Sequence, residues 1–469
     1  MNENSKKTQG LNIGVKSFII AIAVIFALML ATYILTLVIP AGSYGRVEDA
    51  NGNIVIDTAS GFTFVEGGIP FWKWLLSPVL VLGASGSGSI IAVIAFLLVI
   101  GGVFTALDKC GLIKYMLGRI TARFYKVRYK LMAVIIFFFM ALGAMVGSFE
   151  EVVPLVPIVV ALAVSLGWDA LTGIGMSLLA VGCGFASGVC NPFTVGVAQQ
   201  IANLPMFSGA LFRLLAFALI YPLLYGFVFM HAKKVEKAVD SEGEFSSFVR
   251  EKQMDKATIV FATVLGIGIL AVLSSGFIPA IQDYTMIIVA VTFLVAGISA
   301  TLTAKMKPND LGLSFLNGVA SILPAVLMIL MASSIKYTME QAGILDTVLY
   351  GVVKLAESMP RWSIILLIYF IVLVMNFFIP SGSAKAFMLI PIIVPIASIF
   401  GISSQLAIVA FAFGDGFSNV FYPTNAALLI SLGLVNVSYS AWFKYCWKFQ
   451  FLNLILTALI LLLGLWVGV

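Results

Sequence analysis

Long apolar blocks alternate with short polar ones along nearly all of the 469 residues. A helix needs roughly 20 apolar residues to cross a lipid core, so the blocks predict an all-α polytopic membrane protein. The first span covers 18–39 and stops at Pro40-Ala41-Gly42; a second covers 89–107. Residues 43–70 read as a polar loop between them, with Trp72 and Trp74 marking an interface. Two shorter apolar stretches follow, 131–145 and 152–166, interrupted by Gly147-Ser148-Phe149-Glu150-Glu151. As two full spans they would leave a later charged linker on the wrong side of the membrane. As a re-entrant hairpin over 131–167 they close the topology, provided that protein or a watery cavity surrounds the tip.

The next block, 170–203, is too long for a simple span and contains Gly182-Cys183-Gly184-Phe185-Ala186-Ser187-Gly188, then Asn191-Pro192-Phe193-Thr194. Glycines and a proline at mid-depth predict a broken helix whose freed backbone groups face a site. A span over 211–230 leads to a charged linker, 231–256. Beyond it come spans over 257–276, 286–302 and 313–335, an arm over 336–361, a second hairpin over 362–400, a second broken helix over 403–434 and a last span over 442–469.

The second half replays the first. At an offset of 234 residues Glu151 falls on Lys385, Pro157 on Pro391, Ala163 on Ala397 and Gly167 on Gly401. Pro380-Ser381-Gly382-Ser383-Ala384-Lys385 takes the place of the first tip, and Gly414-Asp415-Gly416-Phe417-Ser418-Asn419 with Tyr422-Pro423-Thr424-Asn425 that of the first break. Asp108-Lys109-Cys110-Gly111 is echoed by Glu340-Gln341-Ala342-Gly343. This is an internal repeat of two halves, 18–230 and 257–469, behind a tail of residues 1–17.

Charge orients the picture. Residues 109–130 hold seven basic side chains and no acid, which suits an amphipathic arm on the inner surface, whereas 336–361 balance three basic residues against three acids and suit the outside. The halves are therefore expected to have inverted topology, with the N-terminus and linker cytoplasmic and the C-terminus extracytoplasmic in a bacterial cell (inner) membrane. Composition agrees, with 61% hydrophobic and 10% charged residues and a mean hydropathy of +1.10. The net charge of +6 is a topology signal and no nucleic-acid footprint. Four cysteines without zinc-like spacing and one histidine, His231, supply neither a metal site nor a cofactor site.

An acid inside a membrane is a functional residue by default, because lipid cannot solvate it. Ser148, Glu150 and Glu151 at the first tip and Asp415 in the second broken helix are thus candidate site residues, with Glu150, Glu151 and Asp415 as the negative pole. Opposite them, half-helices starting at the tips and after Pro192 and Pro423 present free N–H groups and positive dipole ends. There Asn191, Thr194, Ser381, Gly382, Ser383, Ser418, Asn419, Thr424 and Asn425 offer donors for a carboxylate, and Lys385 a positive charge. A pure dicarboxylate meets repulsion from the acids unless Lys385 or protons neutralise them. A molecule with a carboxylate at one end and a cation at the other satisfies both poles. A competing structural reading pairs Glu151 with Lys385 as a buried strut.

The paired hairpins, broken helices and halves resemble the ion transporter superfamily. Ile39-Pro40-Ala41-Gly42, Ile100-Gly101-Gly102-Val103-Phe104 and the Glu150-Glu151 tip resemble the YfcC group of DcuC-like carriers, which includes ArcD-type arginine/ornithine antiporters. The resemblance implies a homodimer in the lipid bilayer that carries a small-molecule substrate by an elevator movement. Of the family's Ser-Asn-Thr tip motif, Ser381-Gly382-Ser383 keeps only the hydroxyls, which leaves the coupling ion open between proton and sodium. The expected function is exchange of a basic amino acid, the alternative a proton- or sodium-coupled C4-dicarboxylate carrier. An intramembrane enzyme or channel fits poorly, for no nucleophile with a base is visible.

Overall fold

The apolar blocks form helices in the computed structural model, which describes all residues but 1–14, 49–53, 85–86, 148, 206, 238–249, 276–283 and 357–358. At further positions, 15–21, 54–60, 272–275, Glu150 and Glu151 among them, it describes the backbone alone. Helix α1 (Val15–Val38) and α2 (Ser87–Lys109) form where the first two spans are expected, and α3 (Leu112–Phe124) where the basic arm is expected. Then come α4 (Arg128–Val146), a tight turn of helix at Glu150–Leu155, and α5 (Val156–Ser165). The first broken helix is α6 (Ala170–Ser187) and, after the break, α7 (Val197–Ile201). Helix α8 (Ala210–Val235) precedes the linker. The second half comprises α9 (Lys252–Ser275), α10 (Thr285–Thr303), α11 (Pro308–Ala342), α12 (Leu345–Ala356), α13 (Arg361–Phe378), α14 (Gly382–Ile399), α15 (Ser404–Asn419), α16 (Ala426–Leu434) and α17 (Tyr439–Val467). Among the described residues, seven helices are long and apolar enough to cross a membrane, or eight if the bent α11 is counted.

Two boundaries differ from the expectation. The loop over 43–70 contains an antiparallel ribbon, β1 (Gly42–Glu48) with β2 (Ile54–Phe64). Val47 and the β-branched run Ile54-Val55-Ile56 favour extended backbone, and Phe62 stacks on Tyr350 of α12. The span expected over 313–335 runs on to Ala342, because its stop is Gly343, which takes the left-handed conformation (φ 70°) that caps a helix. Lys336 and Glu340 therefore belong to the helix and not to the arm. Pro324, which removes a backbone donor, lies where α11 bends by 40°.

Two groups of helices pack within the chain. One gathers α1, α2, α9, α10 and α11; the other gathers α4, α6, α13 and α15, with α6 packed on α15. The second halves cross over: α14 packs on α7, while α16 meets the Glu150–Leu155 turn and α5. The crossings are close because small residues line them. A β-carbon at Gly184 on α6 would lie 1.8 Å from the Met140 carbonyl oxygen of α4, a backbone atom that cannot swing away. Gly184→Leu is expected to separate these helices and lower the melting temperature of the purified protein by about 5 °C, since overpacking costs ~1–3 kcal/mol and backbone displacement adds to it. A melt within 2 °C of the parent's would show the crossing to be dispensable.

Candidate functional site

Both broken helices break where the sequence removes the means to continue. In the first, Gly188 caps α6 with φ 52°, and Asn191 Oδ1 then accepts from the backbone N–H groups of Phe193 (2.9 Å) and Thr194 (3.3 Å) to start the next segment. In the second, Asn425 Oδ1 accepts from Leu428 N–H at 3.2 Å and starts α16. Each break frees carbonyls that must find donors. At the first, Arg213 of α8 donates to Gly188 O (2.8 Å) and Val189 O (3.1 Å). At the second, Trp442 donates to Val420 O (2.8 Å), Tyr439 to Phe421 O (2.9 Å) and Gln450 to Phe417 O (3.0 Å), all from α17.

The tips of the two apolar pairs lie against these breaks. At Gly147, left-handed at φ 74°, a β-carbon would fall 2.2 Å from Asn191 Oδ1. At Gly382 it would fall 2.5 Å from Thr194 Cγ2 and 2.6 Å from Asp415 Oδ2. Only glycine permits this approach, so the second tip touches both halves of the chain. In front of the tips opens a cavity of about 640 Å³. Its walls include Gly147, Phe149, Ser381, Gly382 and Ser383 from the tips, and Asn419, Thr424 and Asn425 from the second break. The lining also includes Tyr284, Ser333, Lys336, Tyr337 and Glu340, mostly from α11.

The sequence-derived candidates thus divide. Ser381, Gly382, Ser383, Asn419, Thr424 and Asn425 line the cavity. Asn191 and Thr194 lie buried behind the tips. Ser148 and the side chains of Glu150 and Glu151 fall outside the described residues, between Gly147 and Val152. Lys385, Asp415 and Ser418 form a closed network beneath the second tip. Lys385 Nζ donates to Asp415 Oδ1 at 2.6 Å, to the Ile379 carbonyl at 3.1 Å and to Asn376 Oδ1, with Lys385 and Asp415 wholly buried. Asn376 Nδ2 in turn donates to Ser418 Oγ (2.7 Å), Asn419 Oδ1 (2.9 Å) and the Asp415 carbonyl (3.1 Å).

This corrects one expectation. Among the described residues Lys385 pairs with Asp415, which α15 presents directly beside the first turn of α14. Asp415 in consequence carries a matched charge and is no free negative pole. The sequence reading also missed residues that α11 adds to the lining. Lys336 and Glu340 pair at 3.3 Å along one face of α11, Lys336 partly buried and Glu340 exposed. Their i, i+4 spacing was visible, but the misplaced helix end hid its meaning. Outside the spans, burial raises the Asp169 carboxyl, yet hydrogen bonds from His231 and Thr172 outweigh it and hold its pKa below the ordinary value.

The chain is 29% identical over 387 residues to a protein of Escherichia coli (strain K12) named "Putative basic amino acid antiporter YfcC", covering 77% of this chain and 75% of that one. A Haemophilus influenzae protein is 22% identical over 480 residues, with 91% and 92% covered. Among solved structures, the Alcanivorax borkumensis YdaH transporter shares 16% identity, covering 96% of this chain and 98% of that one at a TM-score of 0.43. Neisseria gonorrhoeae MtrF, described among antimetabolite efflux pumps, shares 15% identity with 94% of each chain covered at a TM-score of 0.38. The family model of C4-dicarboxylate anaerobic carriers matches residues 18–465, and with nearly every span inside that match the chain belongs to this family of multi-pass membrane transporters.

Proposed function

We propose that this chain is a secondary active transporter that exchanges basic amino acids of the arginine and ornithine type. The observation that carries the reading is the polarity of the cavity. On one wall α14 begins at Ser381–Ser383 with no side chain capping its first N–H groups, so the positive end of a helix faces the space and suits a carboxylate. Elsewhere in the lining Glu340 is bound, among the described residues, by its partly exposed partner Lys336. Such a pair contributes no more than about 1 kcal/mol, so a guanidinium or ammonium from the substrate can take the place of Lys336 at little cost. Ser148, Glu150 and Glu151 are kept as candidates in this proposal, because Gly147 and Phe149, their neighbours in the sequence, line the cavity. The name given to the Escherichia coli relative points to the same substrate class.

The remaining elements of the proposal are an elevator movement, in which the tips and breaks shift against the α1, α2, α9, α10 and α11 group; two halves of inverted topology; and a homodimer in the bacterial inner membrane. A second reading, a proton- or sodium-coupled C4-dicarboxylate carrier, is favoured by the family's description and by Lys336, which together with the α14 terminus would suit two carboxylates.

The test is uptake of labelled arginine into proteoliposomes preloaded with ornithine, with fumarate in a parallel set. Arginine counterflow is expected. Glu340→Gln is expected to raise the KM for arginine about tenfold while shifting the melting temperature by less than about 2 °C, since it removes an exposed pair. Fumarate uptake without arginine counterflow would overturn the first reading in favour of the second.

A further inference from the structure

A carrier that uses a mobile cation needs a cage of oxygens to hold it, and such cages are made where unwound backbone and helix C-terminal ends gather. The second tip has that cage already filled. Helix α13 ends at Phe378, and the Ile379 carbonyl projects from its negative dipole end. Asn376, one turn earlier, has its amide fixed by three acceptors, which turns its oxygen towards the same point. Asp415 adds a carboxylate oxygen. A backbone carbonyl, an amide oxygen and a carboxylate are the donors a hard monovalent cation takes, and all three are given to the ammonium of Lys385. The cage is wholly buried, and Asp415 Oδ2, without a hydrogen-bond partner, abuts Gly382 on the cavity wall.

We propose that Lys385 is a tethered counter-cation, filling a site that would otherwise bind a sodium-like ion. The consequence for transport rests on the exchange reading given above, while the cage can be tested without any substrate. A mobile cation can leave on one side and let the carrier return empty, so its gradient can drive uptake. A tethered ammonium cannot leave. The Lys385–Asp415 pair moves as a neutral unit in both directions, and this site extracts no work from an ion gradient. The driving force left to it is the counter-substrate, which is what an exchanger requires.

The experiment is thermal unfolding of detergent-purified protein in sodium, lithium or choline chloride at equal ionic strength. The parent is expected to melt at the same temperature in all three. Lys385→Ala, with the cage vacated and Asp415 retained, is expected to melt lower in choline and to regain about 3 °C or more in sodium or lithium. Lys385→Ala/Asp415→Asn is expected to lose that response. A Lys385→Ala protein indifferent to both ions would overturn the proposal, and so would a sodium response in the parent that Asp415→Asn abolishes. If Lys385→Ala does not fold, the melts of the parent decide: the same temperature in all three salts supports the tethered cation, and a gain of about 3 °C or more in sodium that Asp415→Asn abolishes refutes it. Failure of arginine counterflow leaves the melting result standing, so the two proposals fail separately.

Discussion

Lys385→Met is expected to destabilise the protein by about 3–5 kcal/mol, the cost of stranding a buried charge once its partner is removed. Asp415→Leu is expected to do the same from the other side, leaving the ammonium with two neutral oxygens. The double change Lys385→Met/Asp415→Leu should recover most of the loss, since a buried pair replaced as a unit is often close to neutral. Thermal melts of the three variants in a double-mutant cycle give the coupling directly. Two single changes that each cost under about 1 kcal/mol and simply add would mean that the pair does not act as one. The recovered double variant should still transport poorly: Asn376 would lose the ammonium that holds its oxygen, and Ser418 and Asn419 would lose their fixed partner at the cavity wall.

How much of this was legible in the sequence depends on whether a feature is local. The spans, the tips and the breaks could be read because glycine, proline and asparagine interrupt apolar blocks where a helix has no other reason to stop, as at Gly188-Val189-Cys190-Asn191-Pro192. The partner of Lys385 could not. Asp415 lies 30 positions away on another helix, and no sequence pattern ties the two together. Asn376 was passed over as one polar residue in an apolar run, although an amide in mid-span must be bonded to something. Two misses had usable signals. Asn51-Gly52 between Val47 and Ile54-Val55-Ile56 is a hairpin pattern, and strands flank it. The echo of Asp108-Lys109-Cys110-Gly111 in Glu340-Gln341-Ala342-Gly343 located both helix ends just before the glycine, as α2 and α11 show.

Arg213 is the other residue whose loss should be severe, though it does not line the cavity. It is fully buried, and four backbone carbonyls accept from it: Gly188, Val189, Ser208 at 2.8 Å and Phe207 at 3.3 Å. Two of them are freed by the first break, so the guanidinium closes the hydrogen-bond account that the break opens. Ser208 O keeps Gln199 Nε2 as a donor at 2.8 Å, but Arg213→Leu removes the guanidinium from the other three at about 1–3 kcal/mol each, and a total on the order of 4 kcal/mol or more is expected. Arg213→Lys keeps the charge but replaces a planar fork with a point donor, and should recover only part. Melting of both variants checks this, and an Arg213→Leu protein within 2 °C of the parent would refute it. The second break behaves differently because Trp442, Tyr439 and Gln450 divide the same task. Removing any one of them should cost only about 1–2 kcal/mol, so the first break depends on a single side chain where the second spreads the load over three.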